Sequence, residues 1–136
     1  MNEIMTVSVT VKQFGESASQ GSVRKHQVLM DRPEAKGGQD KGPMGGENFL
    51  MSLGGCFMSN LLAAAKSRGV ELSGAALDIT GTIQGTPSRF AAVHMKISTA
   101  GTDKALMKKL VTIAERGCLV ANTLKQALEL TIDVRE

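Results

Sequence analysis

One apolar stretch constrains this chain more than any other feature. Residues Gly42 to Gly69 read GPMGGENFLMSLGGCFMSNLLAAAKSRG, a Gly/Pro-broken start followed by a long hydrophobic run with a cysteine near its middle. Leu50, Leu53, Phe57, Leu61, Ala64 and Ala65 recur at three- and four-residue steps, which predicts a helix from Glu47 to about Arg68. Met51, Met58 and Leu62 widen the apolar face to most of the circumference, and such a helix is expected to be buried on nearly all sides. At about 1.5 Å per residue it spans roughly 33 Å, so the other elements have to wrap around it. Gly69 supplies the stop, after Lys66 and Arg68 in a last turn that favours positive charge.

Gly54-Gly55-Cys56 interrupts this helix. Each mid-helix glycine costs roughly 1 kcal/mol relative to alanine, so another backbone or a ligand is expected to come close. Two readings stay open here. In one, the glycines serve tight packing and Cys56 is a small buried hydrophobe. In the other, they leave space beside a working thiol.

At 136 residues the chain is long enough for one domain with a real core. Sixteen Lys+Arg against thirteen Asp+Glu leave a net charge of +3, spread along the chain. With no Trp or Tyr and only four Phe there is no stacking platform for bases, which argues against a nucleic-acid partner. The start, MNEIMTVSVTV, has an early acidic residue and alternating polarity, so it reads as a strand and not a signal peptide. The run 49–65 is short for a membrane span and contains Ser52, Ser59 and Asn60. Two cysteines without a secretion signal point to a reducing cytoplasm.

Along the chain, Met5, Val7, Val9 and Val11 alternate with Thr6, Ser8 and Thr10, which predicts a half-buried strand from Met5 to Val11. Phe14 to Ser22 reads as a turn and Val23 to Met30 as the hairpin partner, giving an N-terminal hairpin over about 4–30. Asp31-Arg32-Pro33 ends it, and Glu34 to Gly46 is a Gly-rich loop without the lysine and hydroxyl of a nucleotide-binding loop. After the helix, Leu77, Ile79 and Ile83 are expected to pair with Val93, Met95 and Ile97 across Gly85-Thr86-Pro87-Ser88. Thr102 would cap a helix from Asp103 to about Arg116 with an apolar stripe of Leu106, Leu110, Ile113 and Ala114. Gly117 breaks it at Cys118, a short helix follows over Val120 to Leu128, and Leu130, Ile132 and Val134 form an edge strand. A C-terminal β-β-α-α-β block over about 75–135 and an N-terminal hairpin make the class α+β.

The strongest chemical constellation is the pair Cys56 and Cys118, each beside glycine at or in a predicted helix. There is no C-x-x-C spacing for zinc or thioredoxin chemistry. His26 and His94 lie on predicted strands without a third ligand, so no metal site is expected; Asp78 and Asp133 read as solvated. Ser52 and Ser59 lack a nucleophile elbow. Thiol redox chemistry remains.

Two motifs resemble the osmotically inducible protein C (OsmC) and organic hydroperoxide resistance family. Gly42-Pro43 to Cys56 looks like that family's GP-x-P-x-E-(apolar)-GGC start of its central helix, and Cys118-Leu119-Val120-Ala121-Asn122-Thr123-Leu124 looks like its C-P-V-x-x-T-L. The resemblance implies an intertwined homodimer, with the two central helices packed together and two sites at the interface. It also implies a stress-response peroxidase: Cys56 attacks an organic hydroperoxide, Cys118 resolves the sulfenic acid as a disulfide, and an external dithiol or lipoyl-type reductant restores both thiols without a bound cofactor. Glu47 and Arg24 would then orient the reacting groups, and Met51, Phe57 and Met58 would line an apolar substrate pocket. The chain departs from the peroxidase pattern at three places. Gly46 stands ten positions before Cys56, where the hydroperoxide reductases carry glutamate, and Glu47 matches another branch; Gly15 is followed by Glu16 where those enzymes carry arginine, leaving Arg24 or Arg32 as substitutes; Leu119 replaces a proline. The alternative reading is a non-enzymatic dimer that binds a small hydrophobic ligand and keeps its cysteines for packing.

Overall fold

The computed structural model describes residues 3–135. The fold is α+β, and the chain divides into two compact units, residues 1–49 and 50–136, with the boundary inside the first turns of the long helix.

The first unit is built on three antiparallel strands, β1 (Thr10–Phe14), β2 (Ala18–Val23) and β3 (His26–Met30), in the order β1-β2-β3. A single hairpin was expected over this span. The stretch read as a turn contains β2, which pairs Thr10 with Ser22 on one side and Ser19 with Met30 on the other. Its Gly and Ser residues concealed it, because they are depleted in strands taken alone and need neighbours on both edges to be held there. Gly15, at φ +77°, turns β1 into β2; Arg24, at φ +53°, opens the two-residue turn between Val23 and His26. The strand expected from Met5 begins only at Thr10. Met5, Val7 and Val9 remain 82%, 82% and 65% exposed, because no strand among the described residues pairs with their alternating apolar edge.

The loop after β3 is closed by one buried carboxylate. Asp31 accepts from the backbone N–H of Arg32 (2.7 Å), Gln39 (3.2 Å) and Lys41 (3.3 Å), while its own N–H donates to Pro43 O (3.0 Å). Burial alone pushes the Asp31 carboxyl up. The Ser17 hydroxyl, close by but outside ordinary hydrogen-bond geometry, and the three N–H groups outweigh burial and hold it below the usual carboxylate value. A β-carbon on Gly42 would lie 2.3 Å from Leu29 O, so that glycine lets the loop close on the strand.

The long helix α1 (Gly45–Ser67) starts two residues earlier than expected. Glu47 Oε1 accepts from the Met44 N–H at 2.8 Å, the return half of a capping box, and Asn48 N donates to Met44 O at 2.8 Å.

The second unit packs α1 on a three-stranded sheet of β4 (Ser73–Gln84), β5 (Arg89–Ala100) and β6 (Glu129–Val134), in the order β4-β5-β6. Leu77 faces Ile97 and Ile79 faces Met95 as expected, but an irregularity at Thr82/Ile83 brings Ile83 opposite Phe90 and leaves Val93 opposite Gly81. Edge strand β6 runs parallel to β5, as its long helical crossover requires. That crossover holds α2 (Lys104–Gly117), capped by Asp103 Oδ2 on Leu106 N at 3.0 Å rather than by Thr102, and α3 (Leu119–Leu124), which ends four residues short of its expected limit. The buried stripe of α2 is Met107, Leu110, Val111 and Ala114, so the inward face is turned slightly from the one read.

The core joins Leu53, Phe57 and Leu61 of α1 to Val93, Met95 and Ile97 of β5 and to Leu110 of α2, all at 1% exposure or less. Gly54 belongs to this contact: a β-carbon there would meet Ile79 Cδ1 at 2.6 Å. The rest of α1 departs from the expected all-round burial, with Met51 52% and Leu62 48% exposed and open space at Gly55. Of the two mid-helix glycines, Gly54 is the one that faces this chain's own packing. Among the described residues α1 is the one helix long and apolar enough to cross a membrane, but its Leu53–Phe57–Leu61 stripe lies in this core.

Candidate active site

Cys56 lies on the flank of α1, between its buried stripe and its exposed face, and is half-buried against the core. Cys118 is fully buried at the junction where α2 stops and α3 begins. Its backbone N–H donates to Glu115 O (3.2 Å), and its Sγ accepts from the Ala121 N–H (3.5 Å), so it ends one helix and caps the next. The Gly117-Cys118 break seen in sequence is therefore what aims this thiol inward.

The two thiols are brought together. Burial pushes the Cys118 pKa up, the Ala121 N–H opposes this, and the neighbouring Cys56 thiol raises it further. Cys118 is thus a protonated thiol at neutral pH, held beside a more accessible one. Around the pair, Asn60 Nδ2 donates to Cys56 O at 2.9 Å, and Asn122 Nδ2 donates to Arg116 O at 3.0 Å. Sequence reading counted Asn60 only as a polar residue against a membrane span. The signal available was an asparagine one helical turn beyond a cysteine, where its side chain can reach back to the carbonyl.

The other expected site residues are placed differently. Glu47 is exposed, spends one carboxylate oxygen on the start of α1, and lies in the first unit. Arg24, also in the first unit, is an exposed turn residue with no ion-pair partner among the described residues. The three residues expected to line a pocket do not share a surface. Phe57 has no exposed area and belongs to the core, Met58 packs partly against that core, and Met51 faces outward.

On the outer face of the second sheet, His94 Nδ1 meets Thr131 Oγ1 at 2.5 Å and Nε2 meets Asp133 Oδ2 at 3.1 Å, while Asp78 pairs with Arg135 at 3.0 Å. The two aspartates read as solvated are thus exposed ion-pair partners. Among the described residues no three His, Cys, Asp or Glu side chains are grouped to hold a metal ion.

A long helix packed against a three-stranded sheet recurs among solved structures. The family model described as OsmC-like protein matches residues 38–133, and the chain belongs to that family. An OsmC-like protein from Mycoplasma pneumoniae shares the fold at TM-score 0.79 and 18% identity, covering 96% of each chain. So does a Legionella pneumophila protein described as an organic hydroperoxide resistance protein OsmC, at TM-score 0.75 and 14% identity over 99% of this chain and 100% of that one. The organic hydroperoxide resistance protein OhrB of Bacillus subtilis matches at TM-score 0.71 and 17% identity, over 96% and 98%. No curated protein matches the chain.

The raised Cys118 pKa gives a signed pH dependence. The unfolded chain releases this proton first as pH rises, so the fold keeps the full contribution below the ordinary thiol range and loses it on passing upward through that range. Denaturation midpoints should fall in the wild type as pH rises from the ordinary thiol value of about 8.5 upward, and a Cys118→Ala variant, about 1 kcal/mol less stable at neutral pH, should lose most of that slope.

Proposed function

We propose that this protein is a two-cysteine thiol peroxidase acting on organic hydroperoxides. The observation that carries the reading is the juxtaposition of a half-buried Cys56 with a buried, protonated Cys118. The family and the fold neighbours described as hydroperoxide resistance proteins support a redox or peroxide-resistance role.

In the first step the Cys56 thiolate attacks the outer peroxide oxygen. An S–O bond forms as the O–O bond breaks, sulfur gives up two electrons, and the alkoxide leaves as the alcohol after taking a proton. In the second step the Cys118 thiol gives up its proton and its sulfur attacks the Cys56 sulfenic sulfur; the S–S bond forms as the S–O bond breaks, and hydroxide leaves with that proton as water. The high Cys118 pKa fits this order, since Cys118 stays protonated until a sulfenic acid stands beside it. An external dithiol or lipoyl-type reductant then exchanges with the disulfide and carries away two electrons, a cycle suited to a reducing cytoplasm.

The proposal includes a homodimer. Met51, Gly55, Met58 and Leu62 repeat at four-, three- and four-residue steps along the uncovered face of α1, the spacing of a helix-pairing seam, and Gly55 leaves room for a second backbone. The unpaired apolar edge from Met5 to Val9 is a second surface fitted to another copy.

Two experiments test this. After one equivalent of cumene hydroperoxide, wild type should lose two thiols and Cys118→Ala should hold a trapped sulfenic acid at Cys56. Two unreacted thiols after prolonged exposure would refute the peroxidase and leave the ligand-binding dimer. In sedimentation, wild type should run as a dimer, and Leu62→Lys should run as a folded monomer; a monomeric wild type would remove the homodimer.

A further inference from the structure

Asn60 is a partly buried polar side chain that the two-cysteine scheme leaves unused. It stands one helical turn beyond Cys56 on α1, and its amide Nδ2 donates to the Cys56 carbonyl at 2.9 Å. With the amide nitrogen committed, Oδ1 is left facing the α2–α3 junction. It lies so close that a β-carbon on Gly117 would stand 3.1 Å from it, tighter than an ordinary van der Waals contact. Gly117 has no positive φ to explain it and is the last residue of α2. The contact with Asn60 is what the glycine permits.

The junction is gripped from its other side as well. Asn122 of α3 donates to Arg116 O at 3.0 Å, and Cys118 N donates to Glu115 O at 3.2 Å. Residues 116–118 are thus fixed to α3 and α2, and the remaining freedom is their distance from α1. Asn60 occupies that gap, between the residue that carries one thiol and the residue that precedes the other.

We propose that Asn60 is a positioning residue that sets the approach of Cys118 to Cys56 by holding the Gly117-Cys118 segment against α1. A disulfide requires the two α-carbons within about 7 Å and the side chains correctly directed. A side chain bonded to the Cys56 carbonyl and facing Gly117 at close range is well placed to enforce this. The inference deepens the thiol-redox reading and rests on it for the peroxide as oxidant, but not for the geometry.

The test follows closure of the Cys56–Cys118 bond in wild type, Asn60→Ala and Gly117→Ala. Two oxidants are used: cumene hydroperoxide, and diamide, a diazene that takes two electrons and two protons from a thiol pair. Formation of the Cys56 sulfenic acid should stay within about twofold of wild type, while closure slows about tenfold in Asn60→Ala and in Gly117→Ala. With excess hydroperoxide, the waiting sulfenic acid in these variants should take a second oxygen and accumulate as the sulfinic acid. Gly117→Ala separates positioning from mere stability, because it should slow closure without lowering the thermal midpoint. It also carries the test should Asn60→Ala fail to fold. Closure within about twofold of wild type in every folded variant of the two, with either oxidant, would overturn the proposal. If hydroperoxide leaves Cys56 untouched while diamide still closes the bond more slowly in the variants, the peroxidase reading fails and the positioning role stands.

Discussion

Burial of one face of α1 against the second sheet is the interaction on which the rest depends. Leu53, Phe57 and Leu61 have no exposed area, and each such side chain contributes roughly 1.5–3 kcal/mol relative to exposure. That outweighs the roughly 1 kcal/mol that Gly54 costs as a helix residue, and Gly54 is what lets the helix settle on Ile79. Once this face is fixed, the helical repeat places Cys56 on the flank, one turn before Asn60 and beside the α2–α3 junction. The position of the thiol follows from core packing.

The second half of the chain was legible because its signals were local and strong. Alternating Leu77, Ile79 and Val93, Met95, Ile97 can bury a face only in the register observed, since a one-residue slip would expose every one of them. Gly117-Cys118 was readable as a break because glycine before a new apolar run rarely continues a helix. What sequence could not supply was the direction of the break. The inward aim of Cys118 depends on its caps to Glu115 and Ala121, which exist only once α2 and α3 are formed.

The first half misled where its residues depend on partners. β2, with Gly21 and three Ser or Gln neighbours, has no strand signal of its own and is held by β1 and β3. Met5 to Val9 had a clear strand signal and no partner strand among the described residues. The apolar circumference of α1 misled in the same way: it predicted burial on nearly all sides, and this chain buries a single face. Glu47 illustrates the limit for site residues, since a carboxylate near a helix start reads equally as a catalytic group or a cap, and here its oxygen is engaged as a cap.

The account stands or falls on Cys56 and Cys118 forming a bond inside one folded chain. Peptide mass spectrometry of mildly oxidised protein, with circular dichroism on the same sample, measures this directly. The account predicts a Cys56–Cys118 bond within a single chain and a far-ultraviolet spectrum unchanged from the reduced protein. A bond joining Cys56 residues of two chains with Cys118 still free, or closure only after the fold is lost, would contradict it.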